Sequence, residues 1–446
     1  MPQLQVIILG GGLAGGLLGN GLLRAGISVT VYERDSADKR REGYQIRLGE
    51  PSLTGFRACL SPELIAQIEA KYGKSKPGSE TESVTGPLTA PHVYSKDFEP
   101  CLDLSAIPNY TITTAINRVV LRNFLLEPLR QQGHIKFQKR FSHYEIVQDA
   151  TGVEKVQVHF ADGSSDYCDI LIAADGSGSQ VNQQIGLNNI VDIDTHDLYL
   201  ARGSLSHDKL EKLPPVLLKQ PLVVYSKGSC LYYALYMPQK SNTDDDRENK
   251  LFNYDETEAG IFFSLSIPRT ESRLNYKSTE VENLQICLDY TKDWAPEFKT
   301  MLTHGIADTE GGGVTKLPIR ASKTPSRDWR KEAKKSNPHD SRVGNPRVWL
   351  VGDAVHPMQP NRGMGGNQAL RDCADILPFM VELDKLFRNK GSLLDQDILP
   401  LIRSYEDGMI ERAFEWVEKS GGSDIPYVDV ETVEGAKVWL KTFYEK

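Results

Sequence analysis

Three places in the chain set a carboxylate among glycines at the end of an apolar run. The longest is Arg347–Asp375, RVWLVGDAVHPMQPNRGMGGNQALRDCAD. Val348–Val351 reads as a buried strand, and Gly352-Asp353 ends it. A loop rich in Pro and Gly runs from Pro357 to Gly366. Ala369, Leu370, Cys373, Ala374 and Leu377 then keep to one helical face. Gly363, Gly365 and Gly366 carry no Cβ, so backbone N–H groups can approach a ligand there. The helix start beneath them favours negative charge. Asp353 repels a phosphate at close range but accepts hydrogen bonds from hydroxyls. This is chemistry for holding a flat, anionic cofactor.

The second place follows the apolar strand Gln5–Leu9, QVIIL. Gly10, Gly12 and Gly15 satisfy GxGxxG, a helix runs to about Ala25, and Gly26 stops it. The strand Ile27–Tyr32 then delivers Glu33. Strand, glycine turn, helix and an acid about twenty residues on read as dinucleotide binding. The glycines admit a pyrophosphate, and Glu33 takes the adenosine ribose hydroxyls. Gly16, Gly19 and Gly21 inside that helix each cost about 1 kcal/mol relative to Ala, which close packing against the sheet would explain. The third place is Ala174-Asp175-Gly176-Ser177-Gly178-Ser179, after the strand Tyr167–Ala173.

Other elements position these. Arg40–Leu48 follows a polar loop and reads as an edge strand, with Tyr44, Ile46 and Leu48 opposite Gln45 and Arg47. Residues 51–70 read as helical, and Lys71–Pro100 as loop with some strand around Val93. Ile116–Leu129 is a helix that Asn117 can cap. Arg118 and Arg122 share its face, either as solvated cations or with Arg118 beside a pyrophosphate. Val156–Phe160 meets Asp162-Gly163, a hairpin signal. From about Leu187, segments 198–205, 221–237 and 259–267 alternate without helical crossovers, as an antiparallel sheet does. Ser241–Lys250 and Ser326–Arg342 are charged and read as solvated loops. Residues 278–304 read as a helix plus connection, Pro378 kinks or ends the helix it lies in, residues 397–420 form another, and a polar tail follows.

The 446 residues exceed one ordinary domain, with soluble apolar and charged fractions. A net charge of −8 argues against general nucleic-acid binding. No apolar run suits a membrane span, and no signal peptide is read at the N-terminus. Six cysteines, Cys59, Cys101, Cys168, Cys230, Cys287 and Cys373, are scattered without metal-ligand spacing. They read as free thiols in a reducing compartment, with no metal expected and a cytoplasmic location.

GxGxxG with Glu33, Asp175-Gly176 and Gly352-Asp353, in that order, resemble the group A flavoprotein monooxygenases of the para-hydroxybenzoate and salicylate hydroxylase type, fungal secondary-metabolism members included. The resemblance covers roughly residues 4–380. It implies an α/β fold: a Rossmann-like, glutathione-reductase-type FAD domain with an inserted antiparallel β-sheet substrate domain and C-terminal helices. The expected division is 1–75, 110–185 and 343–380 for FAD, 76–109 and 186–342 for substrate, and 381–446 for the C-terminal helical segment. It implies non-covalent FAD, NADH or NADPH as reductant, O2 and a small-molecule substrate, in a monomer or homodimer. Oxygen transfer would run through a flavin C4a-hydroperoxide, hydroxylating or epoxidising an aromatic, indolic or polyketide-like compound. An FAD-linked oxidase, reductase or cyclisation enzyme is the alternative on the same fold, and a non-enzymatic redox sensor the third reading.

Carried over by residue, Gly10, Gly12 and Gly15 face the pyrophosphate and Glu33 the ribose. Gln45 stands where the family's backbone touches the cofactor, and Arg118 opens the RxxL helix. Asp353 matches the ribityl-binding Asp, Pro360 lies beside the ring, and Gly365, Gly366 and Asn367 surround its pyrimidine edge. Asp175-Gly176 matches a motif tied to FAD and NAD(P)H. That motif departs from the family's GADGxxSxVR: Ala173 replaces the first Gly and Asn182 the final Arg, while Met364 replaces a common Gln. No thioredoxin-like third domain of the phenol hydroxylase kind is expected after Cys373, and the halogenase WxWxIP is not found in the sequence. Fungal members orient phenols with an Arg on an early substrate-domain strand and a Tyr about thirty residues on. Arg202 fits the first, and Tyr232 and Tyr236 share a face suited to the second, while Tyr233 packs with Leu231 and Leu235. His356 reads as part of its loop, not as a base.

Overall fold

Near-continuous apolar strands need cover on both faces, and five of them form one parallel sheet. Its order in the computed structural model is Val348–Leu350, Ile170–Ala173, Gln5–Leu9, Ser28–Tyr32 and Ile135–Lys136. The structure describes residues 3–37, 45–73, 90–106, 113–150, 152–238, 254–269, 279–304, 306, 313–425, 428–436 and 438. Residues 40–44 and 241–250, read above as strand and loop, lie outside the described residues.

The helix Leu13–Arg24 packs on this sheet, and its glycines explain themselves there. A Cβ on Gly16 would stand 3.0 Å from Leu126, and one on Gly19 3.0 Å from Leu129, both on the helix Arg118–Gln131. One on Gly21 would stand 2.9 Å from the Cys59 sulfur. The glycines thus permit close helix contacts more than contact with the sheet. The 51–70 segment is two helices, Glu50–Cys59 and Pro62–Glu69, divided at Leu60-Ser61, where the Ser61 side chain accepts from the Leu64 N–H. A meander of Phe141–Gln148, Glu154–Phe160 and Ser165–Cys168 flanks the parallel sheet.

A seven-stranded sheet stands opposite. Its order is Val314–Ser322, Ile190–Ser204, Gly260–Pro268, Ser229–Tyr236, Leu222–Ser226, His92–Tyr94 and Pro100–Asp103. Only Leu222–Ser226 and His92–Tyr94 run parallel. One face packs on the helices Glu280–Tyr290 and Pro296–Thr303, which a turn at residues 291–295 joins.

Three expectations need correction. The helix Gly365–Lys390 does not end at Pro378 but continues through it, with Pro378 on its exposed side, where water can satisfy the carbonyl that the ring leaves unbonded. Ser326–Arg342 is not only a solvated loop. It contains the helix Trp329–Ser336, anchored by buried Trp329 and by Arg330, which grips Glu406 at 2.7 Å and the Val348 carbonyl at 2.8 Å. The stretch beyond Lys419 is not merely a polar tail, since Val428, Val430 and Ala436 are buried against the seven-stranded sheet. Among the described residues no helix is long and apolar enough to cross a membrane.

Helix Glu50–Cys59 lies against helix Gly365–Lys390 so closely that a Cβ on Gly55 would meet the Leu370 carbonyl oxygen at 2.2 Å. Gly55→Ala should therefore destabilise the protein by ~1–3 kcal/mol through overpacking. Gly408, exposed in helix Asp395–Lys419, meets nothing within 4 Å. Gly408→Ala should stabilise by up to about 1 kcal/mol. Urea denaturation reads both, and equal signs for the two would refute the packing argument.

Candidate functional site

Three adjacent strands of the parallel sheet, Gln5–Leu9, Ile170–Ala173 and Val348–Leu350, point their C-terminal ends at one place. Ligands of open parallel sheets bind outside such ends. Each strand is followed within a few residues by a glycine in the left-handed region: Gly10 at φ +108°, Gly176 at +83° and Gly352 at +59°. The turns so made border a cavity of about 800 Å³, whose opposite wall is the seven-stranded sheet.

The GxGxxG glycines divide their work. A Cβ on Gly10 would stand 2.3 Å from the Ala174 carbonyl oxygen, and one on Gly15 2.0 Å from that of Gly10. Both serve close backbone packing and neither lines the cavity. Gly12 lines it, and a Cβ there would meet nothing within 4 Å. Glu33 is 2 % exposed and does not line the cavity. Its carboxylate accepts from the Gly11 N–H at 3.0 Å, the Asp35 N–H at 3.0 Å and Arg122 Nη2 at 3.1 Å. Arg122 also donates to the Gly11 carbonyl at 2.6 Å. The two arginines of one helix face thus part company. Arg122 is a buried structural ion pair, whereas Arg118, in the first turn after the Asn117 cap, reaches the cavity.

The end of the cavity nearest Gly352 is rich in polar groups. Gln45 is 7 % exposed, lines the cavity, and neither its amide nitrogen nor its oxygen has a hydrogen-bond partner among the described residues. Asp353 presents its carboxylate to the cavity. The protein packed around it pushes its pKa up, while His356 and Arg118 pull the other way. Gly365 and Gly366 open the helix Gly365–Lys390, so their N–H groups have no carbonyl one turn back. Pro360 lines the same end. Asn367 is a clamp and does not line the cavity. Its oxygen accepts from the Gly49 N–H and the Ser52 hydroxyl, both at 2.7 Å, and its nitrogen donates to the Arg47 and Gly363 carbonyls at 2.8 and 3.0 Å. Behind this end, Asp372 accepts from the Gly352 N–H and pairs with His356 Nε2, each at 2.7 Å, and with Arg412 at 2.5 Å.

Asp175 stays just off the cavity, between its lining neighbours Ala174 and Gly176. One carboxylate oxygen accepts from the Gln180 N–H at 3.1 Å, the other is buried with no well-formed hydrogen bond among the described residues, and burial pushes the pKa up against the opposing pull of the Ser179 hydroxyl and the nearby N–H groups. Asn182, which departs from the family's Arg, donates to the Ala354 carbonyl and to Asn189, each at 2.9 Å. It fastens the Asp175 turn to the Asp353 turn.

The opposite wall is the alternating face of the sheet. Leu198, Leu200, Phe262, Ser264 and Tyr232 line it. The Tyr232 hydroxyl makes no well-formed hydrogen bond, and the Arg47 guanidinium lies beside it. Burial pushes Tyr232 up, and the Arg47 charge offsets part of this, so the phenol stays protonated as a donor. Arg47 is held by Thr113, through Nε to the hydroxyl at 2.8 Å and Nη2 to the carbonyl at 2.6 Å. Arg202 alternates in phase with Leu198 and Leu200 but does not line the cavity. Tyr236 does not line it either. Its hydroxyl donates to the Lys71 carbonyl at 2.7 Å. Cys230 does, and burial pushes its thiol up to about 12, so it is no nucleophile at neutral pH.

Sequence reasoning missed the third wall. Trp416 and Lys419 close the last long helix against the cavity, and Ile425 and Val428 continue the wall. Gln359 donates to the Gly422 and Asp424 carbonyls at 3.0 Å, Asn361 donates to Ser420 at 2.9 Å, and Gly228 donates to Val428 at 3.0 Å. Arg47 was also missed, because nothing local distinguishes it from an edge-strand arginine. The alternating Val428 and Val430 were the available signal for the wall.

These groups fit FAD: orphaned Gln45 amide atoms, open space over Gly12, a cation at Arg118, and a carboxylate and free N–H groups at the far end. A family model described as FAD binding domain matches residues 319–383. The chain is 26 % identical over 388 residues to the FAD-dependent monooxygenase dbaB of Emericella nidulans, covering 84 % of this chain and 86 % of that protein. It is 23 % identical to the dual O-methyltransferase/FAD-dependent monooxygenase elcB of Phaeosphaeria nodorum over 94 % of this chain, and spans only 45 % of that protein's length. The fold is similar to that of Klebsiella pneumoniae HpxO complexed with FAD and uric acid, with a TM-score of 0.67 at 18 % identity over 99 % of this chain and 93 % of that one.

The split among the glycines is testable. Gly12 has φ −82°, which any residue adopts, so Gly12→Val should keep the apoprotein's melting temperature near wild type while abolishing FAD retention. Gly15→Ala should lower the melting temperature as well, because its Cβ collides with backbone. Flavin absorbance and apoprotein melts read the two effects, and equal thermal loss in both variants would contradict the assignment.

Proposed function

We propose that the chain is a group A flavoprotein monooxygenase, with FAD as cofactor, and that it hydroxylates or epoxidises an aromatic, indolic or polyketide-like small molecule. The balance for hydroxylation is substrate–H + NAD(P)H + H⁺ + O2 → substrate–OH + NAD(P)⁺ + H2O. The observation that carries this reading is the Arg47–Tyr232 pair, a fixed cation and a protonated phenol on the cavity wall among Leu198, Leu200 and Phe262.

FAD, when bound, supplies two-electron transfer from NAD(P)H and the reaction with oxygen. The protein supplies position and charge. Gly12 and Arg118 would hold the pyrophosphate and Asp353 the ribityl hydroxyls, since all three line the cavity. The unpaired Gln45 amide would bond the cofactor, and the Gly365 and Gly366 N–H groups would serve the pyrimidine edge, where a helix start favours negative charge. Gly10 and Gly15 shape the turn that would receive the pyrophosphate, and Pro360, which lines the cavity, would flank the ring. Asn367 fixes the helix start, and Glu33 braces the glycine turn through the Gly11 N–H while pairing Arg122. Asp175 braces the turn between FAD and reductant. On the substrate side, Arg47 and the Tyr232 hydroxyl hold a substrate oxygen and favour its anionic form, raising electron density at the carbon to be attacked. Arg202 and Tyr236 support this wall from its margin. All six cysteines are free, which suits a cytoplasmic enzyme.

The protein should purify yellow, with all flavin released by acid or heat. A substrate should then drive NAD(P)H oxidation with matching oxygen uptake and ¹⁸O incorporation from O2. Tyr232→Phe and Arg47→Lys should lower product per NAD(P)H ~10–100-fold, since a hydrogen bond to a charged group is worth ~1.5–3 kcal/mol. Hydrogen peroxide should rise while FAD content holds. Intact coupling in both variants would remove the pair from the mechanism, and a protein that cannot take up FAD would end the reading.

A further inference from the structure

Away from the cavity, on the outer face of the meander, the strands Phe141–Gln148 and Glu154–Phe160 bring two histidines face to face. His143 and His159 are direct cross-strand partners, with rings stacked at 4.4 Å between centroids and 4° between planes. Glu145 lies two residues along the same strand and so on the same face. Its Oε2 is 3.6 Å from His159 Nε2, a nitrogen that is shielded from solvent and has no hydrogen-bond partner among the described residues. The Ser142 hydroxyl lies 3.2 Å from His143 Nδ1, which occupies that nitrogen and leaves Nε2 for another partner. One donor atom from each residue lies within 4.8 Å of the others, and among the described residues no other such trio of His, Cys, Asp or Glu occurs.

We propose that His143, Glu145 and His159 bind a late first-row divalent cation, with Zn²⁺ as the reference ion. Two imidazoles and a carboxylate are a donor set for Zn²⁺, with water completing a four-coordinate shell. Bonds of about 2.0–2.2 Å place tetrahedral donors roughly 3.4 Å apart, so side-chain rotation of about 1 Å closes the trio without moving the strands. Register fixes that closeness. A slip by one residue would turn His143 and Glu145 toward the core, where Tyr144 and Val156 are now buried. The Ser142 contact orients the His143 ring as an outer partner orients a metal ligand. No CxxC or HxxxH spacing announces the site, because its ligands meet only through the hairpin. Occupancy would cross-link two strands of the FAD-binding half without touching the flavin.

The test is isothermal titration of Zn²⁺ into the chelator-treated, FAD-loaded full chain at pH 7.5. Saturable binding at one ion per chain is expected, weakening as pH falls to 5.5 because protons compete for the ligands. His143→Ala, His159→Ala and Glu145→Gln should each weaken that binding at least ~10-fold, while His339→Ala, at an exposed residue elsewhere, should not. Flavin absorbance and circular dichroism confirm that every variant is folded and loaded, since the three side chains lie on the solvent face. Absence of saturable binding, or binding that survives His143→Ala with His159→Ala, would overturn the site. Neither result bears on the monooxygenase reading.

Discussion

A buried carboxylate, Asp372, fixes the point on which the cavity depends. It is wholly buried in the helix Gly365–Lys390, and it joins the Gly352 N–H, His356 and Arg412. Burial opposes its charge, but His356 and Arg412 outweigh this and hold its pKa at about 2. Its stabilising contribution is therefore complete above the ordinary carboxyl range and is lost as pH falls through about 2. Removing one partner of such a pair leaves a buried charge, at a cost of ~3–5 kcal/mol. The energy is local, but what it positions is not. Gly352 turns the chain so that Asp353 faces the cavity, and Arg412 brings the last long helix to the same junction. That helix places Trp416 and Lys419 on the cavity wall.

Polarity is distributed along the cavity in a way that separates its tasks. Arg118, Gln45, Asp353 and the helix start offer charge and hydrogen bonds at one side, next to the parallel sheet. Leu198, Leu200, Phe262, Ile319 and Val428 give the other side an apolar surface. Arg47 and Tyr232 interrupt that surface at one place. In this pocket a cation and a phenol donor so close together favour the orientation of an apolar ligand that brings an acceptor atom to both. Such a pocket also keeps water from the reacting atoms.

Much of this was legible in the sequence where chemistry follows from local order. Strand, glycine turn, helix and acid are contiguous at Gln5–Glu33, and the parallel sheet forms there as read. Position within the motif was not legible. Gly10, Gly12 and Gly15 look equivalent in GxGxxG, yet only the neighbouring turn at Ala174 decides that Gly10 is a packing residue. Arg118 and Arg122 look equivalent on one helix face, and Glu33 from a distant strand decides between them. Tyr232 and Tyr236 share a strand face, but the Lys71 carbonyl claims the second. Each ambiguity is resolved by a residue far away in sequence, which periodicity does not register.

The departures from the family pattern make the same point from the other direction. Asn182 stands where the family has Arg, and a shorter, uncharged amide there bridges to the Ala354 carbonyl and to Asn189 inside a buried space. An Arg would bring a charge that must be paired or hydrated, and Asn182 is only 1 % exposed. The substitution therefore trades a cation near the Asp175 turn for a neutral fastening between the Asp175 and Asp353 turns. With that cation absent, Arg118 and Arg47 carry more of the positive charge that faces the cavity, and both are held on elements that the parallel sheet does not contain. Arg118 opens a helix capped by Asn117, and Arg47 lies on the strand paired to that same cap. The two-stranded ribbon Gln45–Leu48 with Thr114–Asn117 thus positions both cations at once. A shift in that ribbon would displace the Arg118 charge and the Arg47 charge beside Tyr232 together.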